Sequence, residues 1–407
     1  MIRSQTRRKP RAPRGGPRPS AVEQAAKREE TAKKPPQRGR IDISFFFLVI
    51  VLQTIGLIML FSASYVTALH ENGSSLYYVI RQSIFVVVGL IAMLVASYVD
   101  YHVWRKLQWL IYFVGLGLMA LALIYRSPNN SGAKRWVYLP TQSHAIISFQ
   151  PSEIMKFSLA IVCASLIAAN YKQMRNRRYG LYPFAVVLFP VAVLLALQRH
   201  MSGLILMILI VFTMMFVGGS KIQWFVILGG ILLAGAVGIL VFRGFDYIQV
   251  RLSNWLDPLS GDLRGSKWQT AQSLYAIGSG GLMGVGLGNS TQKFLYLSEP
   301  QNDFIFAIVC EELGFVGALV IILLFVLLVY SGVSIALRAP DKFGCMLVIG
   351  LTAQIGWQAL LNIAVVTNSI PNTGISLPFF SAGGTALTMQ LAQMGVILNV
   401  SRYCRRD

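Results

Sequence analysis

Residues 284–314 read GVGLGNSTQKFLYLSEPQNDFIFAIVCEELG. A polar, glycine-rich segment runs here directly into an apolar helix. Asp303 stands at the mouth of that helix, and Glu311 and Glu312 lie inside it. An acid at or within a membrane is costly, and by default it marks a functional site. This stretch therefore predicts a membrane helix with a polar site at one end, in which Glu311 and Glu312 order the helix or its cavity.

The composition extends this interpretation to the whole chain. The protein has 407 residues, of which 55% are hydrophobic and 13% are charged, and its mean hydropathy is +0.59. A soluble domain carries about 25% charged residues. Apolar segments of about 20 residues, the length that spans a bilayer, recur along the sequence. These properties predict an all-α polytopic membrane protein and exclude a soluble enzyme with a single anchor.

The apolar segments predict about ten transmembrane helices and one long loop, 243–302. The predicted helices cover residues 43–63, 79–99, 107–125, 153–170, 181–197, 203–218, 222–242, 304–332, 345–367 and 383–402. The loops 64–78 and 368–382 contain no Lys or Arg, whereas basic residues concentrate on the other face. The positive-inside rule therefore places both termini in the cytoplasm and the long loop outside.

The net charge of +20 is unevenly distributed. Residues 1–40 hold 13 of the 36 Lys and Arg residues but only three acids, and they contain no aromatic side chain. This composition predicts a disordered basic cytoplasmic tail, which is held by anionic lipid or, alternatively, binds a specific partner. The distribution argues against a nucleic-acid partner. Residues 41–403 form the transmembrane domain, and 404–407 form a cytoplasmic C-terminus.

The long loop predicts ordered structure, because long loops in compact domains are usually functional. Residues 245–256 show apolar side chains at helical spacing, which is typical of an amphipathic helix on a membrane surface. Residues 268–277 predict a second interfacial helix with Gln269, Gln272 and Ser273 on its polar side. The glycine-rich run 278–288 matches no nucleotide-binding fingerprint. Close backbone packing is the favoured interpretation, and backbone amides that face a membrane-linked pyrophosphate are the alternative.

Several polar residues cluster on the predicted outer face. Asp303 suits the N-cap of the eighth helix and also suits a general base. Glu153 and Lys156 stand three residues apart, where they can pair on one helix face. Arg135 and Trp136 form either a headgroup anchor or a phosphate contact. The four cysteines and four histidines show no metal or redox spacing, so neither a disulfide framework nor a zinc site is predicted.

Five motifs, in this order, resemble the SEDS family (shape, elongation, division and sporulation). The motifs are GAKRW (132–136), QPSEIMK (150–156), AIGSGG (276–281), NDFIF with EELG (302–314) and LPFFSAGG (377–384). The resemblance covers about residues 42–403. The run from Gly286 to Asp303 is more similar to the division branch, FtsW, than to the elongation branch.

The resemblance implies a peptidoglycan glycosyltransferase that polymerises lipid II on the outer face of the bacterial cytoplasmic membrane, for septal wall synthesis. It implies that Asp303 is catalytic. It also implies substrate-binding roles for a further set: Arg135, Trp136, Glu153, Lys156, Lys293, Gln301, Asn302 and Ser381. A divalent cation, Mg²⁺ or Mn²⁺, is an optional cofactor. The implied partners are a class B penicillin-binding protein transpeptidase, other division proteins and membrane lipids.

Two other functions, and two related roles, fit parts of the sequence. Ten spans and membrane acids suit a lipid II flippase, although the first seven helices carry few deep charges and no inverted halves are evident. A scaffold that recruits division proteins through residues 1–40 is the third hypothesis. An elongation or sporulation paralogue would polymerise lipid II by the same chemistry as a division enzyme.

Overall fold

The computed structural model describes residues 39–124, 136–138, 148–243, 252–260 and 266–404. The protein is an all-α polytopic membrane protein. Its helices are α1 (Ile43–Asn72), α2 (Tyr77–Tyr98), α3 (His102–Ile124), α4 (Pro151–Asn170), α5 (Arg177–Gly180), α6 (Tyr182–Leu197), α7 (Met201–Val217), α8 (Ile222–Arg243), α9 (Ser266–Gly280), α10 (Ile305–Leu337), α11 (Lys342–Val366) and α12 (Gly384–Tyr403). Two short strands, β1 (Val137–Tyr138) and β2 (Ser148–Phe149), pair antiparallel.

Each of the ten predicted spanning segments contains a helix. Within the described residues, seven helices are long and apolar enough to cross a membrane. The other three are α7, which has 17 residues, α8, whose described apolar part ends at Leu232, and α12, which buries two glutamines and an asparagine. The ten helices are confirmed, and seven of them qualify as membrane spans from length and composition.

Helix α4 lies at the centre of the protein. Of the residues in its best membrane-spanning window, 78% are buried inside the protein, against 22% for α2 and α3. Pro151 occupies its first turn, where the missing N–H costs nothing because first-turn amides have no intrahelical partner. Burial of α4 on all sides means that any ionised group on it must be paired within the protein.

Close contacts through small residues join α12 to α2. A Cβ on Gly395 would lie 2.2 Å from the Met93 carbonyl oxygen, and one on Gly89 would lie 2.5 Å from Leu391 Cδ1. Backbones that approach this closely gain dispersion contacts. Such contacts drive helix association in lipid, where the hydrophobic effect does not act between helices. The two helices are therefore packed in close contact, and the loop before α12 lies at one end of the pair.

Polar contacts join several helix ends at the face opposite the long loop. Asp42 accepts a hydrogen bond from Phe45 N at the start of α1 and pairs with Arg338 at 3.2 Å. The hydroxyl of Tyr101 donates to Asp341, the N-cap of α11, at 2.6 Å. Burial, followed by this hydrogen bond, raises the pKa of Tyr101 above its usual range. These contacts hold α1, α10 and α11 in register at the face opposite the long loop.

Helix α10 is broken at Gly314, where φ is 67° and ψ is −171°. The break leaves backbone groups without helical partners, and the glycine-rich run takes them up. Val285 N and Gly286 N donate to the carbonyls of Glu311 and Glu312, while Phe315 N and Val316 N donate to Gly281 O and Leu282 O. Close backbone packing, the favoured interpretation of residues 278–288, is confirmed.

The two acids next to the break hold the chain that follows the glycine run. Glu311 accepts hydrogen bonds from Ser290 Oγ, Thr291 N and Thr291 Oγ1. Glu312 pairs with Lys293 at 3.1 Å and accepts from Ser62 Oγ of α1 at 2.6 Å. Both acids are 1% exposed. Glu311 and Glu312 therefore order the helix and its loop, as the sequence indicated.

The predicted helix at 268–277 is confirmed as α9, but its interfacial orientation is wrong. Gln272 and Ser273 are buried, and Ser273 Oγ donates to the carbonyl of Val366 at the end of α11 at 2.8 Å. This polar side therefore faces the interior, where Ser273 satisfies a carbonyl at the end of α11.

In the predicted surface helix 245–256, the described part, residues 252–256, is helical. Trp255 there exchanges two hydrogen bonds with Asn368. The remaining residues of that segment lie outside the described residues.

Gly314→Ala tests the break in α10. A Cβ at this position would lie 2.2 Å from Gly284 N on a backbone with positive φ, so we expect a loss of roughly 2–4 kcal/mol in stability. Thermal unfolding of the detergent-purified protein measures the change. Gly117→Ala in α3, where a Cβ meets nothing within 4 Å, is the matched control and should be neutral or mildly stabilising. Equal unfolding midpoints for the two variants would contradict the assignment.

Candidate functional site

A cavity of ≈ 640 Å³ opens among the helix ends at the face of the long loop. Its walls come from the start of α4, the turn between α6 and α7, the segment before α10, the segment before α12, and the sides of α11 and α12. Together with Trp136, six separate stretches of chain therefore meet around one space. Cavities that collect polar and titratable groups in this way are the default location of an active site.

Asp303 lines this cavity and is half-buried. It does not cap α10, because that helix begins at Ile305 and has Phe304 at its N-cap position. The N-cap interpretation of Asp303 is therefore wrong. Its backbone is fixed instead by Asn362 of α11, whose Nδ2 donates to Asp303 O at 2.7 Å and to Ile375 O at 2.6 Å. This asparagine joins the two loops that border the cavity mouth.

The neighbours of Asp303 have distinct roles in the structure. Asn302 lines the cavity, and its Nδ2 donates to Glu299 at 2.9 Å. Gln301 is buried and contributes its carbonyl, which accepts from Ala382 N at 2.8 Å. Gln301 is not among the residues that line the cavity. The geometry gives it a part in positioning the segment.

Glu153 and Lys156 lie on the first two turns of α4 and line the cavity floor. Lys156 Nζ is 2.8 Å from Glu153 Oε2 and donates to Gln358 Oε1 at 3.0 Å. Both side chains are about 95% buried, with exposed fractions of 5% and 6%. The predicted pairing is confirmed. The charge of Lys156 is therefore largely balanced within the wall.

Trp136 and Ser381 complete the predicted residues found at the cavity. Trp136 precedes β1, and the pairing of Val137 with Phe149 brings it close to Gln150, which also lines the cavity. Ser381 Oγ accepts a hydrogen bond from Leu377 N at 2.8 Å, so it closes the turn before α12. Arg135 lies outside the described residues.

Lys293 does not line the cavity. It is buried against Glu312 and also donates to Ser62 Oγ and Gly288 O. An ammonium held by a carboxylate and two further acceptors has all its donors engaged. The structure therefore separates Lys293 from the other expected substrate-binding residues.

Several lining residues were not among the substrate-binding residues that the resemblance implied, although the sequence places Arg199, His200 and Ser202 on the predicted polar face. These lining residues are Arg199, His200, Ser202, Glu299, Gln358 and Gln390. One signal was available in the sequence, because Gln354, Gln358 and Asn362 recur every four residues in the apolar helix α11. Polar side chains at that spacing share one helix face, and in a membrane such a face points to a cavity or to partners.

Comparison with known proteins agrees with these motifs. The family model described as "Cell cycle protein", which comprises FtsW, RodA and SpoVE, matches residues 42–406. Stage V sporulation protein E of Bacillus subtilis (strain 168) is 40% identical over 370 residues, which are 89% of this chain and 98% of the relative. A probable peptidoglycan glycosyltransferase FtsW of Geobacter sp. (strain M18) is 35% identical over 89% of this chain and 97% of the relative.

Two solved structures share the fold. A chain from a peptidoglycan synthase complex that coordinates polymerization and crosslinking has a TM-score of 0.70 and 27% identity, over 89% of this chain and 98% of that chain. The rod shape determining protein RodA of Thermus thermophilus has a TM-score of 0.64 and 25% identity, over 90% of this chain and 98% of that chain. The family match spans the described domain and includes all five motifs, so the chain belongs to the SEDS family of FtsW, RodA and SpoVE proteins.

Proposed function

We propose that this chain is a peptidoglycan glycosyltransferase that polymerises lipid II into glycan strands. The observation that carries the proposal is the position of Asp303 on a single polar cavity that also holds cationic side chains. The glycosyltransferase name of relatives at 35% identity supports it.

The acid supplies the proton acceptor of the reaction. A sugar hydroxyl of one lipid-linked glycan attacks the anomeric carbon of a second lipid-linked glycan. The hydroxyl proton passes to the Asp303 carboxylate, and the bond from the anomeric carbon to the diphosphate oxygen breaks. The diphosphate leaves with the electron pair. A positioned general base contributes about 10²–10⁴-fold in rate. Asn362 and Gln301 keep the base in place through its backbone, so substrate binding need not order it.

The leaving diphosphate needs positive charge or hydrogen-bond donors where its charge develops. Arg135 and Lys156 are proposed to supply part of this charge. Since Lys156 is already paired with Glu153, we assign to this pair mainly the shaping of the cavity floor, with Lys156 donating to the substrate through its remaining N–H.

A divalent cation, Mg²⁺ or Mn²⁺, remains part of the proposal. No group of three or more His, Cys, Asp or Glu side chains that could hold a metal occurs within the described residues. Mg²⁺ is commonly held by one or two carboxylates together with substrate phosphates. Glu299, which lies on the cavity wall, would hold such an ion together with the substrate diphosphate. When bound, it would neutralise charge on the diphosphate.

The site is proposed to face the outside of the cytoplasmic membrane, with both termini in the cytoplasm. The positive-inside pattern supports this orientation. A class B penicillin-binding protein is the proposed partner, because a related chain belongs to a complex that coordinates polymerization and crosslinking. Relatives include both sporulation and FtsW proteins. Septal synthesis in division is the proposed role, with sporulation or elongation as the alternative.

Asp303→Asn should reduce lipid II polymerisation by about 100-fold or more, because the amide accepts no proton at neutral pH. The measurement is glycan-strand formation by the purified chain with lipid II and its transpeptidase partner. Asp257→Asn, an exposed acid of the long loop, is the matched control and should stay within about twofold of the wild-type rate.

Wild-type polymer formation by Asp303→Asn would overturn the assignment of the base. Translocation of lipid II headgroups in vesicles by a wild-type protein that makes no polymer would favour the flippase.

A double-mutant cycle separates two roles of the buried pair. Glu153→Gln or Lys156→Met alone leaves one buried charge unpaired, which should cost about 3–5 kcal/mol in stability. The double variant should recover most of that loss, as judged by thermal unfolding. If Lys156 also contacts substrate, polymerisation should stay low in the stable double variant. Full recovery of activity would assign the pair a purely structural role.

A further inference from the structure

The charged groups on the described cavity wall are unequally matched. Lys156 is held by Glu153 and Gln358. Arg199 is the other Lys or Arg side chain on the described wall. It is exposed, whereas Gln198 and His200 on either side of it are buried. Within the described part of the chain, Arg199 has no acidic partner within 4.0 Å. Its guanidinium is therefore available to a ligand in the cavity.

The backbone of Arg199 is held in a conformation that arginine rarely adopts. Its φ is 58°, which places it in the left-handed region that most side chains avoid. The turn is fixed on both sides. Gln198 Nε2 donates to Met119 O of α3 at 2.7 Å, and His200 N donates to Leu195 O at 2.9 Å. A strained residue that its surroundings over-determine is often part of a binding site.

The start of α7 adjoins this arginine and faces the same space. Met201, Ser202 and Gly203, its first three residues, line the cavity, and the N-cap residue, His200, makes no side-chain cap hydrogen bond to them within the described part of the chain. The open N-terminus of a helix presents backbone N–H donors and partial positive charge.

A second, independent feature is Ser152 of α4, which lines the same cavity and is 4% exposed. Its Oγ is buried and has no hydrogen-bond partner among the described residues. A buried hydroxyl left in this way indicates a group that is supplied from outside the chain.

We propose that Arg199, the first turn of α7 and Ser152 form an anion-binding wall that takes the diphosphate of a polyprenyl-linked substrate. The inference rests on the function proposed above. It makes Arg199, and not Lys156, the main cation that faces the diphosphate. Lys156 is balanced inside the protein, so Arg199 supplies the main uncompensated cation in the described cavity. A guanidinium can give two parallel N–H bonds to phosphate oxygens, which an ammonium cannot. Asp303 then serves the acceptor hydroxyl, while this wall serves the leaving group.

Binding of a short prenyl diphosphate, which involves no turnover, tests the wall directly. Farnesyl diphosphate, farnesol and inorganic pyrophosphate are titrated into the full-length detergent-purified protein carrying Asp303→Asn, with microscale thermophoresis as the readout. Arg199→Gln should weaken binding of farnesyl diphosphate and of pyrophosphate by about tenfold or more, because a charge-assisted bidentate contact is lost. Farnesol binding should not change. Arg199→Lys should recover only part of the affinity, because it restores the charge but not the fork.

The matched control is Arg175→Gln, an exposed arginine in the turn that follows the C-terminal end of α4, and this variant should bind all three probes like the parent. Arg199→Gly serves if the glutamine variant folds poorly, since glycine suits the positive φ; it should be stable and equally weak in diphosphate binding. Diphosphate affinity within twofold of the parent in a folded Arg199 variant overturns the inference.

Failure of this inference differs from failure of the proposed function. If the protein polymerises lipid II equally well with and without Arg199, the polymerase function stands and the anion-binding wall is refuted. If diphosphate binding depends on Arg199 but the protein makes no polymer, the wall stands as a prenyl diphosphate site and the polymerase function is refuted.

Discussion

The architecture around the site depends on one constraint, the satisfaction of two buried carboxylates beside a broken helix. Glu311 and Glu312 are 1% exposed, and the break at Gly314 opens the backbone next to them. Orphaned polar groups in a low-dielectric interior are expensive. Residues 281–293 satisfy them with backbone amides, hydroxyls and Lys293. The same segment continues to Asp303, so the contacts of Glu311 and Glu312 with residues 281–293 restrict the position of the proposed base.

The cavity combines internally balanced groups with groups that are open to a ligand. Lys156 and Glu153 neutralise one another on the central helix, which lets two charges exist where α4 is buried. Asn362 ties the segment of Asp303 to the loop before α12. The polar contacts thus hold the walls rigid, and rigid walls are what electrostatic stabilisation of a developing charge requires. Arg199, at a strained and anchored turn, provides a positive charge that no acid of the described residues pairs with.

Hydropathy predicted the ten helices, and residue spacing predicted the pairing of Glu153 with Lys156. The family motifs pointed to Asp303, Trp136, Asn302 and Ser381, and these residues meet at one cavity. Two expectations were wrong in detail, for a common physical reason: Asp303 is not an N-cap, and the polar side of α9 is buried. Lys293, an expected substrate-binding residue, pairs with Glu312 and does not line the cavity. Each depends on which distant group lies opposite, and local spacing holds no information about that.

Membrane insertion and helix count follow from the sequence because lipid imposes a nearly local rule: apolar segments of about 20 residues must form helices that satisfy their own backbone. Asp303 could likewise be identified from the sequence alone, since an acid next to a long apolar segment stands out there. The partition of the charges required the tertiary structure. Whether a lysine or arginine is consumed by an ion pair or faces a cavity depends on contacts between α1, α4, α7, α10 and α11. Lys293 and Arg199 are equally basic in sequence, and burial against Glu312 separates the structural cation from the one that faces the cavity.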